Sequence, residues 1–514
     1  LRLRAKLLGL ESGGKSVVIL NKDDAEDMGV LALGRVRVGL GGRELTAIVN
    51  TTTALIGSGS IGICEEVRRA LGASEGDELE VEPTPPPRSL HSIRNKLRGR
   101  KLAYGELLEI VRDVVEGNLS DIEIAAFVTA LHAFGLDLDE ATGLSMAMVA
   151  TGNTLDLDRP LIVDKHSIGG VPGDKTTLLV VPIIAACGLT IPKSSSRAIT
   201  SAAGTADRAE ALMPVDLGIE EMRGVVERTN GCIVWGGSLH LAPADDLFIR
   251  VEHPLSIDPL LLPSIMSKKK AVGAKLLVVD IPCGRGAKVK TIGEADLLAN
   301  DFMELGGRLG IQVRCAVTYG EQPIGYAIGP ALEAREALGA LMGRSAPPDL
   351  LDKAVDIAGI LLDMAGRGDG RALALEALRS GRAEEKMREI IEAQGGDPEV
   401  GPEDIAIGDR RFEIRSERAG YVLWIDNASM AELARLAGCP RDKGAGILLH
   451  KKVGDRVEEG EPLFTIYAER GPKLQQAVEA LEGMRAIGVG ERMEMLIHEV
   501  KERALARRAV PLDR

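Results

Sequence analysis

Residues 164–177, DKHSIGGVPGDKTT, bring an ammonium, a hydroxyl and paired glycines together directly after the apolar run Leu161-Ile162-Val163. A strand ending in Lys165, Ser167, Gly169 and Gly170 presents a cation, a hydroxyl and free backbone amides at one point, which is what a phosphate dianion requires. The segment is close to a nucleotide-triphosphate loop, G-x-x-x-x-G-K-[ST], but Asp174 separates Gly173 from Lys175. The glycines argue for an anion and the spacing argues against ATP; the alternative is an ordinary glycine-rich turn.

Two further segments carry similar chemistry. The stretch from Lys193 to Glu210 concentrates hydroxyl residues, Thr205 among them, around Arg197 after another apolar run, and ends as a helix begins. Such residues ordinarily mark a solvated loop, but two loops leaving strands of one parallel sheet would converge on one crevice. The third segment, residues 250–270, gathers Arg250, Glu252, His253, Asp258, Ser264 and Lys268. Asp258 has the apolar neighbours Ile257, Pro259 and Leu260; burial would raise its carboxyl pKa and let it donate a proton, whereas a helix-capping aspartate before Pro259 is the other reading. His166 is the rival proton donor, since histidine titrates near neutrality. Residues 284–291, GRGAKVKT, add Lys288 and Lys290 at another strand exit, or else two solvated lysines.

The elements that must position these groups follow from periodicity. Residues 1–82 alternate apolar and polar around a turn at Gly41-Gly42, which predicts half-buried strands in a small β unit. The prolines of EPTPPPR, residues 82–88, then form a stiff linker. The period becomes helical from Leu90 to Gly152, with a capping box at Ser120–Glu123 and a further helix opened by Asp137 or Asp139. Strand-like runs follow (LIVDK, TTLLVVPIIAACG, AKLLVVDIP), alternating with helices, as in a mainly parallel α/β sheet with ligands at the carboxyl ends of its strands. From about Arg411 short strands return, and GDRVEEGEPLFTI looks like the barrel-sandwich hairpin of biotinyl and lipoyl carriers, without an acceptor-lysine signature after it. The expected architecture is a multidomain α/β protein. It has an N-terminal β domain (1–84), a helical subdomain (88–160, with a contribution from about 240–270), an α/β domain (161–410) and a C-terminal α+β domain (411–514).

Composition bounds the partners. The 514-residue chain is 45% hydrophobic and 27% charged, with a formal net charge of -13. That balance excludes general nucleic-acid binding, and any phosphate-bearing partner must be small and met locally. No run reaches the ~20 apolar residues of a membrane span and no export signal opens the chain, so a cytoplasmic protein without membrane partners is expected. The six cysteines stand apart, encoding neither a zinc site nor a redox pair. Abundant Glu and Arg with scarce Asn and Gln suit a heat-adapted source.

Three motifs together carry a family resemblance. They are Lys165-His166-Ser167-Ile168-Gly169-Gly170-Val171; Ser195-Ser196-Arg197 through Gly204-Thr205-Ala206-Asp207 with Glu210; and residues 264–269, SIMSKK, followed by GRGAK. They resemble the signatures of thymidine/pyrimidine-nucleoside phosphorylases, over residues 90–500. The second loop departs from that family's Ser-Gly-Arg-Gly-Leu-Gly-His-Thr-Gly-Gly-Thr, the base-reading Thr-Arg-Asp is replaced by Ile249-Arg250-Val251-Glu252, and Pro172 is inserted in the glycine loop. These departures, with the extra β domain, make the chain similar to the archaeal nucleoside 5′-monophosphate branch, the AMP phosphorylases.

The resemblance implies phosphorolysis of AMP to adenine and ribose 1,5-bisphosphate, with inorganic phosphate as co-substrate and no cofactor or metal. It implies a phosphate site of Lys165, Ser167, Thr177 and Ser195, with Thr205 beside it. Nucleotide contacts would come from Gly170, Ser196, Arg197, Ala198, Ile199, Thr200, Ser201, Thr205, Ser264 and Lys288, and Asp258 would be the proton donor. Because a nucleotide brings one phosphate more than a nucleoside, Arg197 and Lys288 are the expected additional cations. The first 82 residues carry no catalytic groups and are expected to mediate a homo-oligomer. A pyrimidine-nucleoside phosphorylase, a phosphoribosyltransferase and a non-catalytic nucleotide-binding scaffold are the alternatives.

Overall fold

The computed structural model describes residues 1–198, 201–344 and 346–491. Ile199 and Thr200 of the second loop lie outside them.

The amino-terminal strands close on themselves. Six of them form a barrel in the order Arg2–Leu7, Ser60–Ile63, Val17–Asn21, Arg43–Thr52, Arg35–Leu40, Glu78–Pro83. The period-two pattern explains the closure: Leu3 and Ala5 point in while Arg2 and Arg4 point out, and Val36 and Val38 are buried around an exposed Arg37. A closed barrel leaves no unpaired edge. One flank docks on the helical lobe through Arg35, which pairs with Glu123 and donates to the Asn118 carbonyl at 2.6 Å. Lys15 pairs with Asp121, and Arg250 donates to the Gly13 carbonyl at 3.0 Å.

In the helical lobe the capping signals act as written. Ser120 caps the Asp121–Phe134 helix, with Glu123 accepting the Ser120 N–H at 2.7 Å. Asp137, not Asp139, caps Leu138–Ala150, taking the Glu140 N–H at 2.8 Å. The Pro243–Leu255 helix, about ninety residues downstream of these, inserts Phe248 against Phe127 with ring centroids 5.9 Å apart and shares their core. Its position in that core brings the turn bearing Asp258 to the edge of the lobe.

The five strands at the centre of the α/β domain pair in parallel. Gln312–Tyr319, Leu276–Cys283 and Val163–Ser167 lie side by side, and Ile191–Ser195 pairs with Gly231–Trp235. A bridge between Ile162 and Thr190 joins the two groups. One expected strand is a helix: TTLLVVPIIAACG forms Thr176–Ala186, and its residues from Thr176 to Ala185 are all buried. Burial on every side removes the amphipathic period that distinguishes a helix from a buried strand, and the eleven-residue length is what favours the helix.

The C-terminal region contributes a four-stranded sheet, Ala327–Ile328, Gly446–Leu449, Pro462–Ala468 and Arg410–Arg415, and a three-stranded sheet, Arg456–Val457, Gly420–Ile425 and Ile487–Gly490. The expected hairpin is a crossover: Arg456–Val457 and Pro462–Ala468 flank the turn at Gly460 but pair into different sheets. All six cysteines are free thiols. Among the described residues no helix is long and apolar enough to cross a membrane.

Candidate active site

The glycine loop at the exit of Val163–Ser167 is shaped by left-handed residues. Gly169, Gly170 and Gly173 have φ of 77°, 94° and 74°. A Cβ at Gly170 would lie 2.8 Å from the Lys288 backbone nitrogen, so the loop meets the GRGAK exit only because this residue is glycine.

Lys165 has the most informative surroundings. It is 2% exposed, and among the described residues its ammonium has neither a hydrogen bond nor an ion pair. The other buried lysines are partnered: Lys96 by Glu140 at 2.7 Å, Lys269 by Asp164 at 2.7 Å, Lys353 by Asp280 at 2.7 Å, Lys452 by Asp349 at 3.0 Å, Lys193 by the Ser194 carbonyl at 2.5 Å and Lys175 by Glu336. Burial pushes the Lys165 amine below the usual lysine range, against the pull of Asp174 and Asp280. A buried cation without a partner is costly unless an anion arrives to pair it.

Lys175 answers why the loop is almost a nucleotide loop. Its ammonium turns inward, donating to the carbonyls of Ile324 at 3.0 Å and Ala327 at 2.8 Å and pairing with Glu336. It fastens the entry to the C-terminal sheet. Burial would raise the Asp174 carboxyl, but Lys353 at 3.4 Å, Lys165 and Arg208 hold it well below the usual carboxylate range. Thr176 and Thr177 open the Thr176–Ala186 helix; Thr177 is buried, and the buried Thr176 hydroxyl has no hydrogen-bond partner among the described residues. The helix N-terminus therefore offers amides and hydroxyls beside Lys165.

The second loop leaves Ile191–Ser195. The Ser195 hydroxyl donates to the Val234 carbonyl at 3.0 Å, leaving its lone pairs free, and Ser196 is exposed. Arg197 corrects an expectation. Its guanidinium is held in two bonds by Glu210, at 2.7 and 2.8 Å, reaches Asp216 at 3.2 Å and Asp207 at 3.5 Å, and lies 5.0 Å above the Trp235 ring. With three carboxylates around it, Arg197 is a strut of the loop and not a spare cation for a second phosphate. Asp207 accepts the N–H groups of Ala198 at 2.7 Å and Gly204 at 2.8 Å, so the loop is folded over the start of the Thr205–Ala209 helix. Arg208 binds the Ala203 carbonyl at 2.8 Å, Glu333 at 2.9 Å and the Asp174 carbonyl, which ties this loop to the glycine loop. Ser201 is exposed and Thr205 half-buried.

Asp258 stands at the helical lobe, where the flanking Ile257 and Leu260 join the core. It is not buried among its apolar neighbours: its side chain is 50% exposed, with Lys288 at 3.6 Å. Nor does it cap the next helix, Leu261–Ala271, whose N-cap is Leu260. The loop turns at Ser256, with φ of 53°, and carries Asp258 out to solvent. Lys288 is packed on Gly170 at one side and faces Asp258 at the other. Lys290 is occupied by the Ala287 carbonyl at 2.7 Å. Ser264 and Lys268 lie one helical turn apart, and Lys268 pairs with the buried Asp245 at 2.5 Å. Burial, and then Lys269, Lys193 and Lys165, hold His166 well below the usual histidine range, so its ring is neutral at pH 7. The sequence gives no role to Glu252 or Thr176, both of which carry a buried oxygen without a hydrogen-bond partner among the described residues.

A helical lobe beside a parallel α/β domain, with a cation that has no partner among the described residues at a strand exit, is the arrangement of a two-lobed protein suited to an anionic ligand. Comparison with known proteins gives the same architecture. The chain matches the helical bundle domain of the glycosyl transferase family over residues 90–152, that family's a/b domain over 159–384, and the pyrimidine nucleoside phosphorylase C-terminal domain over 421–488. It is 51% identical over 490 residues to the AMP phosphorylase of Thermofilum pendens, covering 95% of each chain. It is 50% identical to that of Pyrococcus furiosus, covering 93% of this chain and 96% of the other. Anthranilate phosphoribosyltransferase from Thermus thermophilus superposes on 59% of the chain with a TM-score of 0.51 at 20% identity, a likeness of fold. The chain belongs to the AMP phosphorylase family.

Proposed function

We propose that this protein cleaves AMP with inorganic phosphate, releasing adenine and ribose 1,5-bisphosphate. A phosphate oxygen attacks C1′ of the ribose, the bond from C1′ to the base breaks with its electron pair going to adenine, and a proton from Asp258 neutralises the leaving base. Because the transition state resembles an oxocarbenium ion, positioning of the two reactants and fixed charge are the main sources of rate.

Lys165, Ser167, Thr177 and Ser195 hold the nucleophilic phosphate. Gly170, Ser196, Ala198, Ser201, Thr205, Ser264 and Lys288 hold the nucleotide, with Lys288 as its cation. The single observation that supports this division is the ammonium of the buried Lys165, without a partner among the described residues, at the end of a strand. The neutral state of His166 favours Asp258 over it as donor. The side chain of Arg250 is directed to the N-terminal barrel, which weighs against a pyrimidine-reading role for that residue.

Incubating the protein with phosphate and a panel of nucleosides and nucleoside monophosphates tests the reading. Adenine release from AMP, absent without phosphate, is expected; equal cleavage of uridine or thymidine would overturn it. The N-terminal barrel, with a core of its own, is the proposed assembly surface. Removing residues 1–84 should lower the mass seen by light scattering.

A further inference from the structure

Asn427 opens the Asn427–Ala437 helix of the C-terminal domain, yet its side chain does not serve that helix. The cap is Asp426, whose carboxylate accepts the Ser429 N–H at 2.7 Å. The Asn427 amide instead reaches the α/β domain, where its Nδ2 donates to the Gly320 carbonyl at 2.9 Å. The residue is buried, and among the described residues its Oδ1 has no hydrogen-bond partner. A buried amide left half satisfied costs stability, so the helix and the core give no reason for an asparagine at this position.

Its neighbours give one. A Cβ at Gly286 would lie 2.7 Å from Asn427 Nδ2 and 3.2 Å from its Cβ, so the GRGAK backbone runs directly against this side chain. The Gly320 turn that Asn427 bonds meets the same loop: the Gly320 N–H donates to the Cys283 carbonyl at 2.8 Å, and a Cβ at Gly320 would lie 2.9 Å from that of Ala287. Within the loop the Ala287 N–H donates to the Gly284 carbonyl at 3.0 Å, and the Lys290 ammonium to the Ala287 carbonyl at 2.7 Å. A loop closed on itself in this way shifts as a unit, and Lys288 is two residues beyond Gly286. Among the described residues the Lys288 ammonium has no hydrogen bond and faces Asp258 at 3.6 Å. The backbone of its loop is therefore what sets its reach.

We propose that Asn427 is a positioning residue for the nucleotide: it braces the GRGAK loop against the Gly320 turn and thereby places Lys288. The C-terminal domain then contributes to affinity for AMP without supplying a group that touches it. The inference rests on Lys288 being the cation of the nucleotide.

The test measures kcat and the KM values for AMP and for phosphate in full-length wild type, Asn427→Ala, Lys288→Met and the variant carrying both changes. Asn427→Ala should raise KM for AMP roughly 10-fold and leave kcat and KM for phosphate within about 2-fold. In the Lys288→Met background the same change should add less than about 2-fold, because the group through which Asn427 acts is gone. An unchanged KM for AMP in Asn427→Ala overturns the inference, as does an equal rise in both KM values, which a merely structural role would produce. Effects that multiply in the double variant overturn it too. If Asn427→Ala fails to fold, Gly286→Ala strains the same contact from the side of the loop and should raise KM for AMP alone; no rise overturns the inference. A Lys288→Met variant with unchanged KM for AMP would remove Lys288 as the nucleotide cation, and the inference with it.

Discussion

Lys165 and Asp258 belong to the two sides of the proposed site and differ in exposure: the first is 2% exposed, and the side chain of the second is 50% exposed. The wall around Lys165 is finished before substrate arrives. Asp164, Asp174 and Asp280 are each fixed by a lysine, and Arg208 links the two phosphate-side loops. The wall around Asp258 is a solvated turn whose one cation, Lys288, comes from the other domain. The difference separates two demands of the reaction. A nucleophile is best held by charges that need no reorganisation, whereas the acid must stay open until the nucleotide enters and excludes water.

That contrast can be broken from either side. Lys165→Met should lower kcat/KM by roughly 10³-fold while leaving thermal stability unchanged or raised, because it removes a buried charge with no partner. Loss of thermal stability would place Lys165 in the scaffold. Asp258→Asn should lower kcat by about 100-fold with little change in KM for phosphate, measured by initial rates of adenine release.

A smaller effect sharpens the role of the second loop. Arg197 first, through its hydrogen bonds, and then Lys443 hold the Glu210 carboxyl down at about 2, below the ordinary value of 4.5. A depressed carboxylate stabilises the fold above its unfolded value and ceases to do so as pH falls through the folded one. The loop should therefore loosen between about pH 4.5 and 2, and Arg197→Lys, which cannot form the bidentate pair, should shift that loss upward. Thermal melting against pH reads it directly. The smallest effect belongs to His166→Gln: with the ring neutral, kcat should change by less than about 3-fold and no limb should appear near 6.5.

Features set by neighbours in the chain were legible in the sequence. The period-two strands of the amino-terminal unit and the caps at Ser120 and Asp137 depend on residues a few positions apart, and so do the glycines at the strand exits, whereas closure of those strands into a barrel pairs residues as distant as Arg2 and Glu80. What was not legible depends on distant partners. Nothing near Lys175 announces Glu336, 161 residues on, or the inward turn that distinguishes it from Lys165. Arg197 resembles a free cation until Glu210, Asp207 and Asp216 fold back onto it. Apolar neighbours suggested that Asp258 is buried, but the left-handed Ser256 turns it outward and leaves Glu252 beneath it. Complete burial also disguised the Thr176–Ala186 helix as a strand.

The claim that the phosphate wall is complete before the nucleotide binds is tested most directly by titrating inorganic phosphate into nucleotide-free protein by calorimetry. Wild type should bind phosphate without AMP, and Lys165→Met should not. Equal phosphate binding by the two proteins would contradict it.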